Sequence, residues 1–339
     1  MKAVAEFLKR KENQKFNFLD LWNKLMDANA QWVDSKGKDL TYDDLSNLTT
    51  HEERMFLANL LQYIFDYSYE LQEKENPLPE SVKIEQIEAN GVPTEWQIVP
   101  NANEERVLLY LHGGGMVVGS PKNSRFLTVE IAKATKMKIL SVDYRLAPEY
   151  PHPAGQEDCV KVYEWLLSEG FKPKNVIIGG LSAGGYFTIT TLLRLRDEGK
   201  PLPRGAICLS PAVDLREEGA DELFYQNART DPILADSGLL LWCTTAYLGG
   251  KDPNDPYITP LLADLEGLPP VLIQASTSEM LYSGAKKFYE KAKKAGIDVK
   301  FETWEDVPHG FQTFGLNILP EAQDAINHIK IFIEDLFNQ

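Results

Sequence analysis

The residues able to do chemistry in this chain gather around one serine. Ser182 stands in Gly180-Leu181-Ser182-Ala183-Gly184, directly after the apolar run Asn175 to Ile178 and directly before a segment with helical periodicity. A serine at a strand-to-helix turn sits in strained backbone with its hydroxyl at the sheet's carboxyl edge, and small residues must flank it because side chains there would clash. Ser182 is therefore the candidate nucleophile. A plain glycine turn or a phosphate cradle would use similar letters. However, no Gly-Lys-Ser/Thr follows and no GxGxxG register fits, so the phosphate motifs are not met.

A second glycine run, His112-Gly113-Gly114-Gly115-Met116, closes the apolar run Val107 to Leu111. Bare glycines leave backbone N–H groups uncovered and admit a carbonyl closely, as stabilising a tetrahedral oxyanion requires. The N–H of Ala183, at a helix N-terminus just after the nucleophile, would point at the same oxygen. Gly114 and Gly115 are the favoured donors from the run. The alternative is a turn whose glycines only relieve crowding.

A serine hydroxyl needs a base, and the chain has five histidines. His51 lies among charges near the N-terminus, His328 in the last helical segment, His152 between Pro151 and Pro153, and His112 in the glycine turn, where it would hold the loop. His309, in Val307-Pro308-His309-Gly310-Phe311, remains as the candidate base. A base of this kind needs a carboxylate to fix its tautomer. Glu279 is the acid in the loop that follows the run Val271 to Gln274. The alternatives are Asp306 as the orienting acid, or Glu279 as a glutamate favoured at a helix N-terminus. The chain order Ser, Glu, His matches α/β-hydrolases and not trypsin-like or subtilisin-like proteases.

Positioning these groups requires a sheet. From residue 106 to 210 short β-rich runs (Val107 to Leu111, Lys138 to Val142, Asn175 to Ile178, Gly205 to Leu209) alternate with helical segments near 124–135, 155–169 and 184–198. The pattern resumes with Val271 to Gln274, a helix near 281–295, Val299 to Thr303 and a helix over about 320–337. Such alternation predicts right-handed crossovers and a mostly parallel sheet covered on both faces. Before it, two extended runs over 82–100 meet at Asn90-Gly91, a hairpin signal. Residues 1–75 show helical periodicity, as in Leu21-Trp22 and Leu25-Met26, and a further helical insertion is expected near 214–250. The expected architecture is an α/β domain over 76–339 with a helical cap made from two separated pieces, 1–75 and 214–250.

Composition bounds the rest. A chain of 339 residues with 43% hydrophobic and 25% charged residues can bury a sizeable core. The net charge of −15 repels nucleic-acid phosphates and anionic membranes. No apolar run approaches the roughly 18–20 residues a membrane helix needs, and the first fifteen residues lack the apolar core of a secretion signal, so a cytoplasmic location is expected. Cys159, Cys208 and Cys243 have no metal-ligand spacing and read as reduced, buried thiols. No metal or organic cofactor is implied.

With these motifs in place, the chain from about residue 82 onward resembles the hormone-sensitive-lipase-like branch of the α/β-hydrolase fold. The matching features, in order, are His112-Gly113-Gly114-Gly115, Asp143-Tyr144-Arg145-Leu146-Ala147-Pro148-Glu149, Ser182-Ala183-Gly184-Gly185, Asp255-Pro256-Tyr257-Ile258-Thr259-Pro260 with Gly267-Leu268-Pro269-Pro270, and Pro308-His309-Gly310-Phe311. The resemblance implies Ser182 as nucleophile, Glu279 as acid, His309 as base, and an oxyanion hole from the glycine loop and Ala183. Leu181 stands where many relatives carry Asp, and Glu279 where many carry Asp. The expected function is a serine carboxylesterase acting on a small, uncharged, short-acyl ester. A non-catalytic small-molecule receptor on the same scaffold and an amidase or peptidase are the other readings. The sequence leaves a homo-oligomer open.

Overall fold

In the computed structural model, which describes residues 2–36, 38–39, 41–234, 239–314 and 318–338, the strands are β1 (Lys83–Ala89), β2 (Val92–Ile98), β3 (Asn103–Leu111), β4 (Met137–Val142), β5 (Val176–Leu181), β6 (Gly205–Leu209), β7 (Val271–Ser276) and β8 (Val299–Trp304). They form one sheet in the order β1-β2-β4-β3-β5-β6-β7-β8. β1 and β2 are the predicted hairpin; β2 also runs antiparallel to β4, and the remaining pairs are parallel. Asn90 and Gly91 both take positive φ at the hairpin's tip, as a two-residue turn matched to strand twist requires.

Burial on both faces explains why the parallel strands read as unbroken apolar runs. The faces separate on a two-residue period: Val107, Leu109 and Leu111 point into one core cluster, Leu108 and Tyr110 into another. The second cluster is closed by Leu127 and Ile131 of α5 (Pro121–Thr135) and by Ile329 and Phe332 of α11 (Pro320–Asn338). The first is closed by α6 (Ala154–Ser168), α7 (Ala183–Asp197) and α10 (Tyr282–Lys294), together with residues of α2 (Phe18–Ser35) and α4 (His51–Glu75) from the N-terminal layer.

That layer is helical as its periodicity predicts, with α1 (Lys2–Leu8) and α3 (Tyr42–Asn47) beside α2 and α4. Its helices begin where the sequence supplies caps. Asn17 accepts from Asp20 N, and Thr41 and Thr50 make reciprocal capping boxes with Asp44 and Glu53.

Three boundaries differ from the periodicity. β5 runs three residues past Ile178 to Leu181. β3 starts at Asn103, four residues before the apolar run, because Asn103 pairs with Met137 and its N–H donates to Lys136 O at 2.7 Å, while Glu104, Glu105 and Arg106 form a bulge turned on Asn103 Oδ1 before regular pairing resumes at Val107. α5 starts at Pro121, where Ser120 caps the helix and proline's missing N–H costs nothing. Between β6 and β7 the chain makes a long excursion containing α8 (Glu222–Asn227) and α9 (Leu239–Leu248); residues 235–238 of the expected insertion lie outside the described residues. Tyr225, Ala228 and Leu241 from this excursion pack with Ala28, Trp32 and Val33 of α2 and Leu45 of α3. Among the described residues no helix is long and apolar enough to cross a membrane.

Candidate active site

β5 runs to Leu181, and the next residue, Ser182, has φ 55° and ψ −114°. A non-glycine residue held there costs of the order of 1–3 kcal/mol, so surrounding packing must impose it. The packing is visible at the flanking glycines. A Cβ at Gly180 would lie 2.3 Å from Leu111 O, and one at Gly184 would lie 1.9 Å from the same atom. The start of α7 thus presses on the end of β3 with no room for a side chain on either side of the serine. Serine commonly caps a helix with its hydroxyl, yet α7 has no side-chain cap and Ser182 Oγ makes no hydrogen bond among the described residues. Its N–H donates to Leu209 O at 2.7 Å, which fixes the backbone and leaves the hydroxyl unengaged.

The end of β3 leads into the glycine run. Gly114 and Gly115 have φ of 123° and 61°, and Gly114 O accepts from Val117 N and Val118 N at 3.1 and 3.0 Å. No acceptor among the described residues takes the N–H of Gly114, Gly115 or Ala183. His112 holds the loop, as its position in the turn suggests. Its Nδ1 donates to Gly113 O at 2.8 Å, its ring stacks on Tyr144 at 4.0 Å, and Tyr144 OH donates to His112 O at 2.6 Å. Burial pushes this imidazole down to about 4 against the pull of Gly113 O, so it is neutral at pH 7. From α4, Gln62 Oε1 accepts Gly119 N at 2.7 Å and ties the loop's far end to the N-terminal layer.

His309 lies in the loop after β8, 8% exposed, and its Nδ1 donates to Glu279 Oε2 at 2.8 Å. Glu279 is fully buried, whereas Asp306 is exposed. The structure therefore pairs His309 with the glutamate and leaves the aspartate in solvent. Burial lowers the imidazole's affinity for a proton; the hydrogen bond and charge of Glu279, joined by the charge of Asp231, outweigh it and hold His309 above the ordinary imidazole range.

The pair lies beside the strand end that leads into Ser182. Gly310 packs on the Leu181 side chain, and Gly310 N donates to Ser210 Oγ, the residue after Leu209 whose carbonyl binds Ser182 N. Ser276 Oγ donates to Val307 O at 2.5 Å, joining the histidine loop to β7. The other histidines sit elsewhere. His51 opens α4 in solvent, His152 meets Tyr247 OH at 3.0 Å, and His328 pairs with Glu302 at 3.1 Å.

Three residues near this site carry no local sequence signal. Cys243 of α9 lies against the glycine loop, with its Sγ 2.8 Å from where a Gly115 Cβ would be. Asn227 Nδ2 donates to Thr277 O and Glu279 O, and buried Asp231 accepts from Met280 N. All three come from the β6–β7 excursion, and only tertiary folding brings them to the site. Among the described residues no group of three or more His, Cys, Asp or Glu could hold a metal ion.

A parallel sheet carrying a serine on its strand-to-helix turn, a glycine loop beside it and a buried His–carboxylate pair at the same edge defines an α/β-hydrolase. Comparison with known proteins agrees. Residues 108–313 match the alpha/beta hydrolase fold family. An acetyl-hydrolase of Streptomyces hygroscopicus is 39% identical over 239 residues, covering 70% of this chain and 78% of the relative. An esterase of Acinetobacter venetianus is 34% identical over 260 residues, 77% of this chain and 84% of that one. A crystal structure of an esterase from the bacterial hormone-sensitive lipase family superposes with a TM-score of 0.75 at 38% identity, covering 92% of this chain and 98% of that one. The chain belongs to the hormone-sensitive lipase family of α/β-hydrolases.

Proposed function

We propose that the protein is a serine carboxylesterase that hydrolyses small, uncharged esters with short acyl chains. The observation that carries this reading is the strained, uncapped Ser182, whose neighbour Leu181 packs against both Gly113 of the glycine loop and Gly310 of the loop bearing the buried His309–Glu279 pair. In the first half-reaction Ser182 Oγ bonds to the ester carbonyl carbon while its proton passes to His309 Nε2. Catalytic hydrogen bonds tighten when substrate binds, which closes the Oγ–Nε2 contact. The carbonyl oxygen takes the negative charge and accepts from the N–H groups of Gly114, Gly115 and Ala183. The C–O bond to the alcohol breaks as His309 returns the proton to it. Water then attacks the acyl-enzyme, giving its proton to His309, and the carboxylic acid leaves as Ser182 is reprotonated. Glu279 fixes the ring tautomer and stabilises the imidazolium throughout.

We read residues 1–75 with 214–250 as a cap; its α9 closes on the glycine loop through Cys243, which favours a small acyl group. The S. hygroscopicus relative is named for acetyl hydrolysis. For a nitrophenyl ester series, kcat/KM should fall about tenfold or more from butanoyl to dodecanoyl, since each methylene without a pocket forfeits binding. Matched anilides should turn over far more slowly than the esters. A flat profile, or anilides hydrolysed as fast as esters, would overturn the assignment.

The pH profile follows from the sign of the His309 shift. The base works neutral, and its protonated form is favoured beyond the ordinary range, so activity is lost as pH falls and the loss begins early. The acidic limb of kcat/KM should be centred above the unperturbed value of roughly 6.5. A limb centred below it would contradict the pairing with Glu279.

A further inference from the structure

Glu279 is held in an unusual way. Its Oε2 is engaged by His309, while its Oε1 is buried and has no hydrogen-bond partner among the described residues. The aim of the carboxylate therefore leans on the backbone that carries it. That backbone is gripped from outside its own loop. The peptide unit joining Glu279 to Met280 offers one carbonyl and one N–H, and both are taken by side chains of the β6–β7 excursion. Asn227 Nδ2 donates to Glu279 O at 2.8 Å, and Asp231 Oδ2 accepts from Met280 N at 2.9 Å.

The two gripping residues form one rigid unit. They are four apart at the end of α8, and Asp231 N donates to Asn227 O at 2.8 Å. Asn227 also donates to Thr277 O at 3.0 Å, and the other Asp231 oxygen, Oδ1, accepts from Ile233 N and Leu234 N at 2.9 and 3.1 Å. Asp231 is 1% exposed, and a buried carboxylate needs such donors to be tolerated. The Met280 side chain packs with Trp32 of α2, Leu45 of α3, and Tyr225 and Leu241 of the excursion. The acid's peptide is thus seated in the cap and not only in the sheet.

We propose that Asn227 and Asp231 are a clamp through which the cap aims the catalytic acid. Both are positioning residues. The proposal rests on Glu279 being the catalytic acid. Among the described residues, Glu279 from the loop after β7 bonds the imidazole, and Asp231 from the excursion adds its charge. Breaking the clamp misaims Glu279, weakens its hydrogen bond to His309 and moves the imidazole's titration to lower pH.

The test is a set of steady-state profiles on the full chain with a nitrophenyl acetate substrate. Asn227→Ala should lower kcat about 10- to 100-fold through misplacement of the acid, with KM within about twofold and the acidic limb shifted to lower pH. Asp231→Asn should lower kcat similarly and shift the limb the same way. In a Glu279→Gln background, either substitution should add less than about twofold, because residues acting through one another are not additive. Wild-type kcat in Asn227→Ala would overturn the clamp, as would an undiminished further loss in the Glu279→Gln background. An unmoved limb in both single variants would overturn it too, since Glu279 would then still hold the imidazole. Should Glu279→Gln itself keep near wild-type turnover, the acid assignment fails first, and the clamp fails with it.

Discussion

Replacing Ser182 with alanine should lower kcat by roughly 10⁴-fold or more, because the covalent route and its proton transfer are both lost and only the oxyanion amides and binding remain. Covalent labelling by a fluorophosphonate should be stoichiometric in the wild-type protein and absent in the variant. Retained turnover with intact labelling at another residue would remove Ser182 from the mechanism. The backbone at this position permits a second readout. Alanine keeps the strain at φ 55° and ψ −114°, whereas glycine adopts such angles freely. Ser182→Gly should therefore be as inactive as Ser182→Ala yet more stable by about 1 kcal/mol, the relief of strain outweighing glycine's extra unfolded-state entropy. Thermal or denaturant unfolding of the two inactive variants measures that difference with no contribution from catalysis.

The second large effect is expected at Gly114. A Cβ there would lie 1.9 Å from Val118 O and 2.6 Å from Val118 C, at a φ of 123°. The opposing atoms are backbone, so a flexible side chain cannot swing aside to make room. Gly114→Ala must open the turn that Val117 N and Val118 N close on Gly114 O, and the amides proposed to bind the oxyanion move with it. Loss of such donors costs roughly 10²–10³-fold in kcat, with KM little changed because the ground-state carbonyl makes weaker use of them. Gly91→Ala is the matched control. Its φ is also positive, at 81°, but nothing lies within 4 Å of the added carbon, so it should lose some stability and keep full activity. Equal activity in the two variants would show that the glycine loop is not the oxyanion site.

Both substitutions concern features visible in the sequence, and the reason is that they are local. A β-rich run, a glycine-flanked serine and a helical period define a strand-turn-helix within about a dozen residues. Gly184 is forced by Leu111 O of β3, far off in the chain, but at Gly180 the clash is partly local, the added carbon meeting Gly184 C at 2.6 Å within the turn itself. The same holds for the Asn90-Gly91 hairpin and for the helix starts at Thr41, Thr50 and Ser120, whose capping bonds lie within three residues. Where the pairing is irregular, as between Asn103 and Val107, no periodic signal marks the strand.

The sequence by itself therefore determined the α/β order, the parallel sheet, the serine's turn and the glycine loop, since each leaves its pattern of residue types in short stretches of chain. The tertiary structure decided that His309 meets Glu279 while Asp306 faces solvent, that Cys243 closes on the glycine loop, and that Asn227 and Asp231 grip the Glu279–Met280 peptide. These contacts join residues 30 to 128 positions apart, from Glu279–His309 to Gly115–Cys243. No local pattern encodes them, because which acid reaches an imidazole depends on how separate layers pack and on which carboxylate that packing shields from water.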